Sequence, residues 1–263
     1  LTGNRKGLVE GYREYLFLNN NNARSQPGPL AALILARYEG AELDLISITD
    51  TRALDFWSKY LSDKFPGVPV VFSGATREVP QLSEPGRLVT GVMETIDAPG
   101  TLRFIRATHP KSKRIGMVLS QGVLSDRTER EFLRQFNASP EKTQGFEIVP
   151  IRTASFETLR EEIKQKNLDT LIHVSGPWRD PRMRVVQVPE WVRENFPKVP
   201  VYALLDGGVQ PFILGGQTSS GFELGRAAGA MARRILNHGV KPSDIPIDRD
   251  GAVVPIARWE ELD

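Results

Sequence analysis

From about residue 40 onward, short apolar runs alternate with amphipathic stretches of helical period. The runs LDLISIT (43–49), VPVVF (68–72), RIGMVLS (114–120), FEIVPIR (146–152), DTLIHVS (169–175) and VPVYALLD (199–206) predict buried strands. Between them, 29–40, 52–65, 99–110, 125–138, 155–167, 189–196 and 221–239 predict helices. In 52–65 the residues Leu54, Trp57, Tyr60 and Leu61 share one face, and in 155–167 Phe156, Leu159 and Ile163 do. Pro99 suits the first turn of its helix, and Ser125 or Asp126 is the expected cap of the helix at 125–138. Residues 87–94 and 245–262 read as extended, and 212–220 as extended or irregular. The segment NNNNARSQPGP (19–29) is a loop by composition, and 7–18 reads equally as helix or strand.

Strands that are apolar throughout, each followed by a helix, indicate parallel sheets covered on both faces. Two successive β/α blocks are visible, with a boundary near residues 87–97. Five of these six runs share one further trait: each ends in a small or acidic residue. Asp50-Thr51, Ser73-Gly74, Ser120-Gln121, Ser175-Gly176 and Asp206-Gly207 all occupy such ends. In open parallel α/β sheets, ligands sit outside the carboxyl ends of the strands. Small residues there leave space, while hydroxyls, carboxylates and helix-start amides supply hydrogen bonds. Ser, Asp and Gly are also ordinary capping and turn residues, so the set carries more weight than any member.

Composition narrows the functional classes. The 263 residues carry 34 basic and 32 acidic side chains, a net charge of +2, so no electrostatic footprint for nucleic acid is present. Hydrophobic residues are 40% and charged residues 25%, an ordinary globular balance. With no cysteine, disulfides, thiol catalysis and Cys-ligated metals are excluded. No apolar run approaches the roughly 20 residues of a membrane span, and no signal-peptide pattern opens the chain. The chain begins without Met, so a processed protein or a fragment is expected, with any targeting or anchoring segment outside it.

Two blocks resemble a known family. LDLISITDTRALDFWSKYLSDKFPGVPVVFSGA is similar to the first lobe of bacterial ABC-type solute-binding proteins of the type I periplasmic fold. VPVYALLDGGVQPFILGGQTSSGFELGRAAGAMARRILNHGVKPSDIPI resembles that family's closing segment, and HPKSKRIGMVLSQG the start of its second lobe. The stretch FPGVPVVFSG looks most like the branch that serves as extracytoplasmic sensor domains of histidine kinases. The resemblance covers about residues 40–258 and consists of diffuse patterns in the right order.

It implies an α/β protein of two Rossmann-like lobes with parallel sheets. One lobe would hold 1–90 plus about 218–240, and the other about 91–217 plus 245–263. A small organic ligand would lie between them and shift the chain toward a closed form. Asp50, Thr51, Ser73, Gly74, Ser120, Gln121, Ser175, Trp178 and Asp206 are the expected ligand contacts. Trp178 would stack on a ligand or close the rim of the cleft. The resemblance also implies a periplasmic or extracytoplasmic location, membrane anchoring through segments outside this chain, and pairing into a homodimer. The expected partner is a membrane signalling module; the alternative is an ABC permease. The departure from the pattern lies at the start, where the family's opening strand and long helix are barely visible before residue 19.

Catalytic and cofactor readings find little support. GGQTSSG (215–221) precedes a helix but lacks the G-K-[ST] ending of a P-loop. His109, His173 and His238 are scattered without metal-ligand spacing, and no G-x-S-x-G elbow is present. No cofactor, metal or catalytic set is therefore expected. An enzyme on a doubly wound fold would need a base beside Ser120, Ser175 or Asp206. A repressor core would need a helix-turn-helix that residues 1–40 do not show.

Overall fold

The computed structural model describes residues 10–16, 27–120, 123–153, 155–174, 187–206 and 211–258. The chain divides into two compact units, Leu1–Glu94 with Phe222–Gly251, and Thr95–Gly221 with Ala252–Asp263. Both are built from parallel β/α elements, as the apolar runs predict.

In the first unit, strands β1 (Ile46–Thr49), β2 (Val70–Ala75) and β3 (Val89–Met93) form a parallel sheet in the order β1-β2-β3. Helix α1 (Pro27–Arg37) precedes β1, and α2 (Thr51–Tyr60) links β1 to β2. The face expected of α2 is buried at Leu54, Trp57 and Leu61, joined by Phe56, while Tyr60 is half-buried. They pack with Ala31, Ile34, Phe72 and Val89 into one core. Residues 245–251 close this unit. Thr90 Oγ1 and Arg87 donate to the Ile245 carbonyl, and Asp248 bridges Val92 in parallel. Helix α7 (Gly221–His238) contributes Leu224, Ala228 and Ile235 as its buried side.

The second unit carries a six-stranded sheet ordered β5-β4-β6-β7-β8-β9. Its strands are β4 (Arg114–Leu119), β5 (Glu147–Arg152), β6 (Thr170–His173), β7 (Val201–Ala203), β8 (Gly215–Ser219) and β9 (Val253–Ala257). All neighbours pair in parallel except β8 and β9. The segment 212–220, read as extended or irregular, thus holds a sheet strand. Helices α3 (Ala98–Thr108), α4 (Val123–Ala138), α5 (Phe156–Gln165) and α6 (Gln187–Asn195) cover the sheet. Alternation along β4 sends Ile115, Met117 and Leu119 into one core with Leu102, Phe132 and Tyr202, and Val118 into another with Leu159, Val192 and Ala203. This is why the strands read as apolar on both faces.

Local chemistry fixes the helix starts. Asp97 Oδ1 accepts from the Gly100 amide at 2.7 Å, with Pro99 in the first turn of α3. Ser155 accepts from the Thr158 amide at 3.2 Å to start α5. The cap expected for α4 is corrected. That helix begins at Val123, so Ser125 lies inside its first turn, where it bonds Ser120 instead. Among the described residues no helix is long and apolar enough to cross a membrane.

Candidate functional site

The parallel strands of the first unit finish on one edge, and their end residues are bonded across it. Thr49 Oγ1 and Ser73 Oγ lie 3.4 Å apart on neighbouring strands. Thr51 Oγ1 lies 3.0 Å from Thr76 Oγ1 and accepts from the Thr76 amide at 2.9 Å. Ser73 is buried, and the β2–β3 register shifts between Ser73 and Ala75, with Gly74 at φ 72° as the extra residue of the bulge.

Asp50 is the exceptional residue here. It caps α2 by accepting from the Arg52 amide at 3.2 Å, and its own amide donates to the Ser73 carbonyl at 3.0 Å. Its backbone stands at φ 80°, ψ 149°, a region that favours glycine and costs another residue about 1–3 kcal/mol. The side chain is exposed, and a carboxylate has acceptor capacity beyond one amide. The sequence thus keeps a carboxylate where backbone sterics alone would select glycine.

In the second unit the strand ends are more self-contained. Ser120, after β4, is 1% exposed, and its Oγ lies 2.8 Å from Ser125 Oγ. Asp206 follows β7, and its Oδ2 accepts from the Gly221 amide at 2.7 Å, the first residue of α7. Leu205 bridges Ser219 beside it. Ser219 Oγ is buried without a hydrogen-bond partner. Gln121, Ser175 and Trp178 lie outside the described residues.

The structure therefore gathers Asp50, Thr51, Ser73 and Gly74 on one edge, with Thr49 and Thr76 completing the set. Sequence inspection missed Thr49 and Thr76. Thr49 precedes an aspartate already singled out, and its alternation with Asp50 along β1 is the signal that reaches it. Ser120 and Asp206 belong to the other unit, each engaged in an internal bond.

His173 and His109 belong to the packing of the second unit. His173, in β6, is buried, and desolvation depresses its pKa to about 4. His109 caps α3; its Nδ1 lies 2.6 Å from the Tyr202 hydroxyl, which is also 2.6 Å from Thr108 Oγ1. Burial lowers His109 and raises Tyr202 to about 12. Trp57 is core, on the helix face expected of it, and Trp191 stacks on Phe156 at 4.9 Å between ring centroids. Trp259 is outside the described residues. Among the described residues no group of three His, Asp or Glu is arranged to hold a metal ion.

Comparison with known proteins agrees with this architecture. A family model for the ABC transporter substrate binding protein matches residues 2–253. No curated protein matches the chain. Among solved structures, the ligand-free, open form of an adhesive substrate binding protein from Clostridium difficile is similar at TM-score 0.67 and 21% identity, over 91% of this chain and 79% of that one. An ABC domain from Streptococcus pneumonia in complex with L-Trp gives 0.59 and 21% identity, over 90% of this chain and 77% of that one. A glucose-galactose binding protein from Geobacillus stearothermophilus gives 0.52 and 17%, over 86% and 80%. The fold is that of the type I periplasmic-binding proteins.

Proposed function

Because the chain belongs to the ABC transporter substrate-binding protein family, we propose that it captures a small organic molecule outside the cytoplasm and presents it to an ABC permease. The observation that carries this reading is the family match across residues 2–253. The family consists of binding proteins rather than enzymes, and a binding role needs no nucleophile or metal. The match also favours transport over the sensing role that FPGVPVVFSG suggests. A histidine-kinase module and homodimer formation rest on that resemblance alone.

The proposed ligand contacts are the strand-end residues Asp50, Thr51, Ser73 and Gly74 in the first unit and Asp206 in the second. Gln121, Ser175 and Trp178 complete the set on sequence grounds. Ser120 is buried and bonded to Ser125, so its proposed part is to hold the strand end in shape. One solved neighbour is in complex with L-Trp and another is a glucose-galactose binding protein, which supports polar and amphipathic molecules alike as screening classes.

The test is a thermal-shift screen against amino acids, sugars, and aromatic and aliphatic acids, with the compound recovered and identified afterwards. A ligand of the folded state raises the melting point in proportion to the logarithm of its concentration above Kd. A shift with the compound recovered unchanged supports capture, and a chemically altered compound refutes it. Stimulated ATP hydrolysis by a reconstituted permease, in the presence of the liganded chain, supports transport. A response confined to a kinase would move the reading to sensing.

A further inference from the structure

The C-terminal end of α3 carries three hydrogen-bonding side chains that the ligand-binding reading does not use. Thr108 is the last residue of α3, and the half-buried His109 is its cap. Tyr202, from β7, is fully buried in the core of the second unit. Its hydroxyl stands 2.6 Å from Thr108 Oγ1 and 2.6 Å from His109 Nδ1. Thr108 Oγ1 lies in turn 2.9 Å from the Phe104 carbonyl oxygen and 3.4 Å from that of Ile105. His109 Nδ1 is 3.4 Å from Thr108 Oγ1, a longer contact than the one to Tyr202.

The protons can be counted. Each hydroxyl has one, and an imidazole nitrogen either donates or accepts. If Thr108 donates to Phe104, then Tyr202 donates to Thr108 and His109 Nδ1–H donates to Tyr202, and all three contacts are hydrogen bonds. In the reverse order Thr108 donates to Tyr202 and Tyr202 to His109 Nδ1, which leaves the Phe104 contact without a proton. The first order with a bare Nδ1 would set two lone pairs 2.6 Å apart. The first order with Nδ1–H makes one bond more than the reverse from the same atoms, worth about 1 kcal/mol. We infer that Thr108 and Tyr202 hold His109 in the Nδ1–H form, leaving Nε2 as the nitrogen that takes up a proton. Thr108 and Tyr202 are positioning residues for the ring.

Acid then adds a proton at Nε2 and breaks no bond in this chain, since Nδ1 donates in both charge states. In the reverse order protonation would strip Tyr202 of its acceptor and strand a hydroxyl in the core. The arrangement lets this end of the second unit take up a proton with its core still closed. A cation at the C-terminal end of α3 is also favoured by the helix dipole. The burial cost of the charge remains, and it lowers the His109 pKa; no charged side chain among the described residues contributes to that shift. The titratable group facing the ring is Tyr202, kept neutral by burial that raises it to about 12. Arg106, in the last turn of α3, is held by the Pro110 and Gln144 carbonyls and lies over the Phe146 ring. Asp169 accepts from the Lys113 and Arg114 amides.

Nitrogen-15 NMR of the imidazole rings in the intact, labelled chain tests this. The chain has three histidines, so the His109→Gln spectrum identifies the His109 signals. At neutral pH the parent should show a protonated Nδ1 and an unprotonated Nε2. Thr108→Val frees the Tyr202 proton to reach Nδ1, so it should switch the ring to the Nε2–H form. The ring's proton affinity should then fall roughly three- to tenfold, because protonation costs the Tyr202 bond. Thr108→Ser restores the hydroxyl and should restore the parent tautomer and affinity. A parent ring in the Nε2–H form would overturn the inference. A folded Thr108→Val chain that keeps Nδ1–H would overturn it too, and would leave Thr108 a packing residue. If Thr108→Val does not fold, the parent spectrum decides alone.

Discussion

The two units build their strand ends differently. The first unit has three strands, yet its carboxyl edge links hydroxyls across neighbouring strands and holds Asp50 in a backbone conformation that favours glycine. The second unit has six strands and two cores, and two of its described strand-end groups are engaged internally: Ser120 by Ser125, and Asp206 by the Gly221 amide. Both edges use an aspartate to accept a helix-start amide, but among the described residues only the smaller sheet holds that aspartate in a strained backbone conformation. Residues held in sparsely populated backbone conformations tend to mark functional positions. The contrast therefore marks Asp50 as the strand-end position to test first.

The strongest way to break the comparison is to unfold the larger sheet alone. A Cβ at Gly216 would stand 2.2 Å from the Ala203 carbonyl oxygen, and the residue sits at φ 147°. Gly216→Val should destabilise the second unit by roughly 3 kcal/mol or more. Limited proteolysis should then cut within residues 95–221 while the first unit's sheet stays protected. Equal loss of protection in both would show that the units unfold together.

Acid is the next largest perturbation, and it also falls on the second unit. Burial holds the pKa of His173 down at about 4, against 6.5 for an ordinary histidine, so below 6.5 the unfolded chain binds a proton that the folded one does not. That contribution to stability is whole above pH 6.5 and declines as pH falls toward 4, by up to about 3 kcal/mol. His109 is shifted in the same direction and adds to the slope. Urea midpoints measured between pH 7 and 4 should fall accordingly, and His173→Gln should flatten the curve.

Single strand-end substitutions should sharpen the contrast with smaller effects of opposite sign. Asp206→Ala removes the acceptor of the Gly221 amide and should cost about 1 kcal/mol, while Asp206→Asn retains most of it. Asp50→Gly relieves the backbone strain, and glycine is nearly as good a cap, so stability should rise by about 1 kcal/mol. Ligand affinity should fall in the same variant. A stabilised chain with unchanged affinity would reduce Asp50 to a turn residue. Ser120→Ala leaves the buried Ser125 hydroxyl without this partner and should cost about 1 kcal/mol, with little effect on affinity.

Much of this was legible in the sequence because parallel strands buried on both faces announce themselves. RIGMVLS and DTLIHVS could hardly be read otherwise, and LDFW placed Leu54 and Trp57 correctly on the inner face of α2. The start of α4 was not legible, since Ser125 has the chemistry of a cap and only the tertiary bond to Ser120 shows it serving another purpose. GGQTSS left extended and irregular readings open, because its glycines are as common in loops as in strands that pack closely. They are required by the close approach of the Ile256 and Ala203 carbonyls on either side. Strain at Asp50 leaves no mark on periodicity, so it needed coordinates.

The antiparallel pairing of β8 with β9 has a consequence for how the chain is made. Strand β8 waits for a partner 42 residues away, Gly215 facing Ala257, and the intervening segment supplies α7 to the first unit. Neither unit is continuous in sequence, so on the ribosome neither can finish until residues beyond 220 have emerged. Until then β8 presents an open edge that carries glycines and no charge, a surface prone to pair with other chains. Folding that must wait for a late strand favours a slow, protected start, and shortening the chain before residue 253 should convert a folding delay into aggregation.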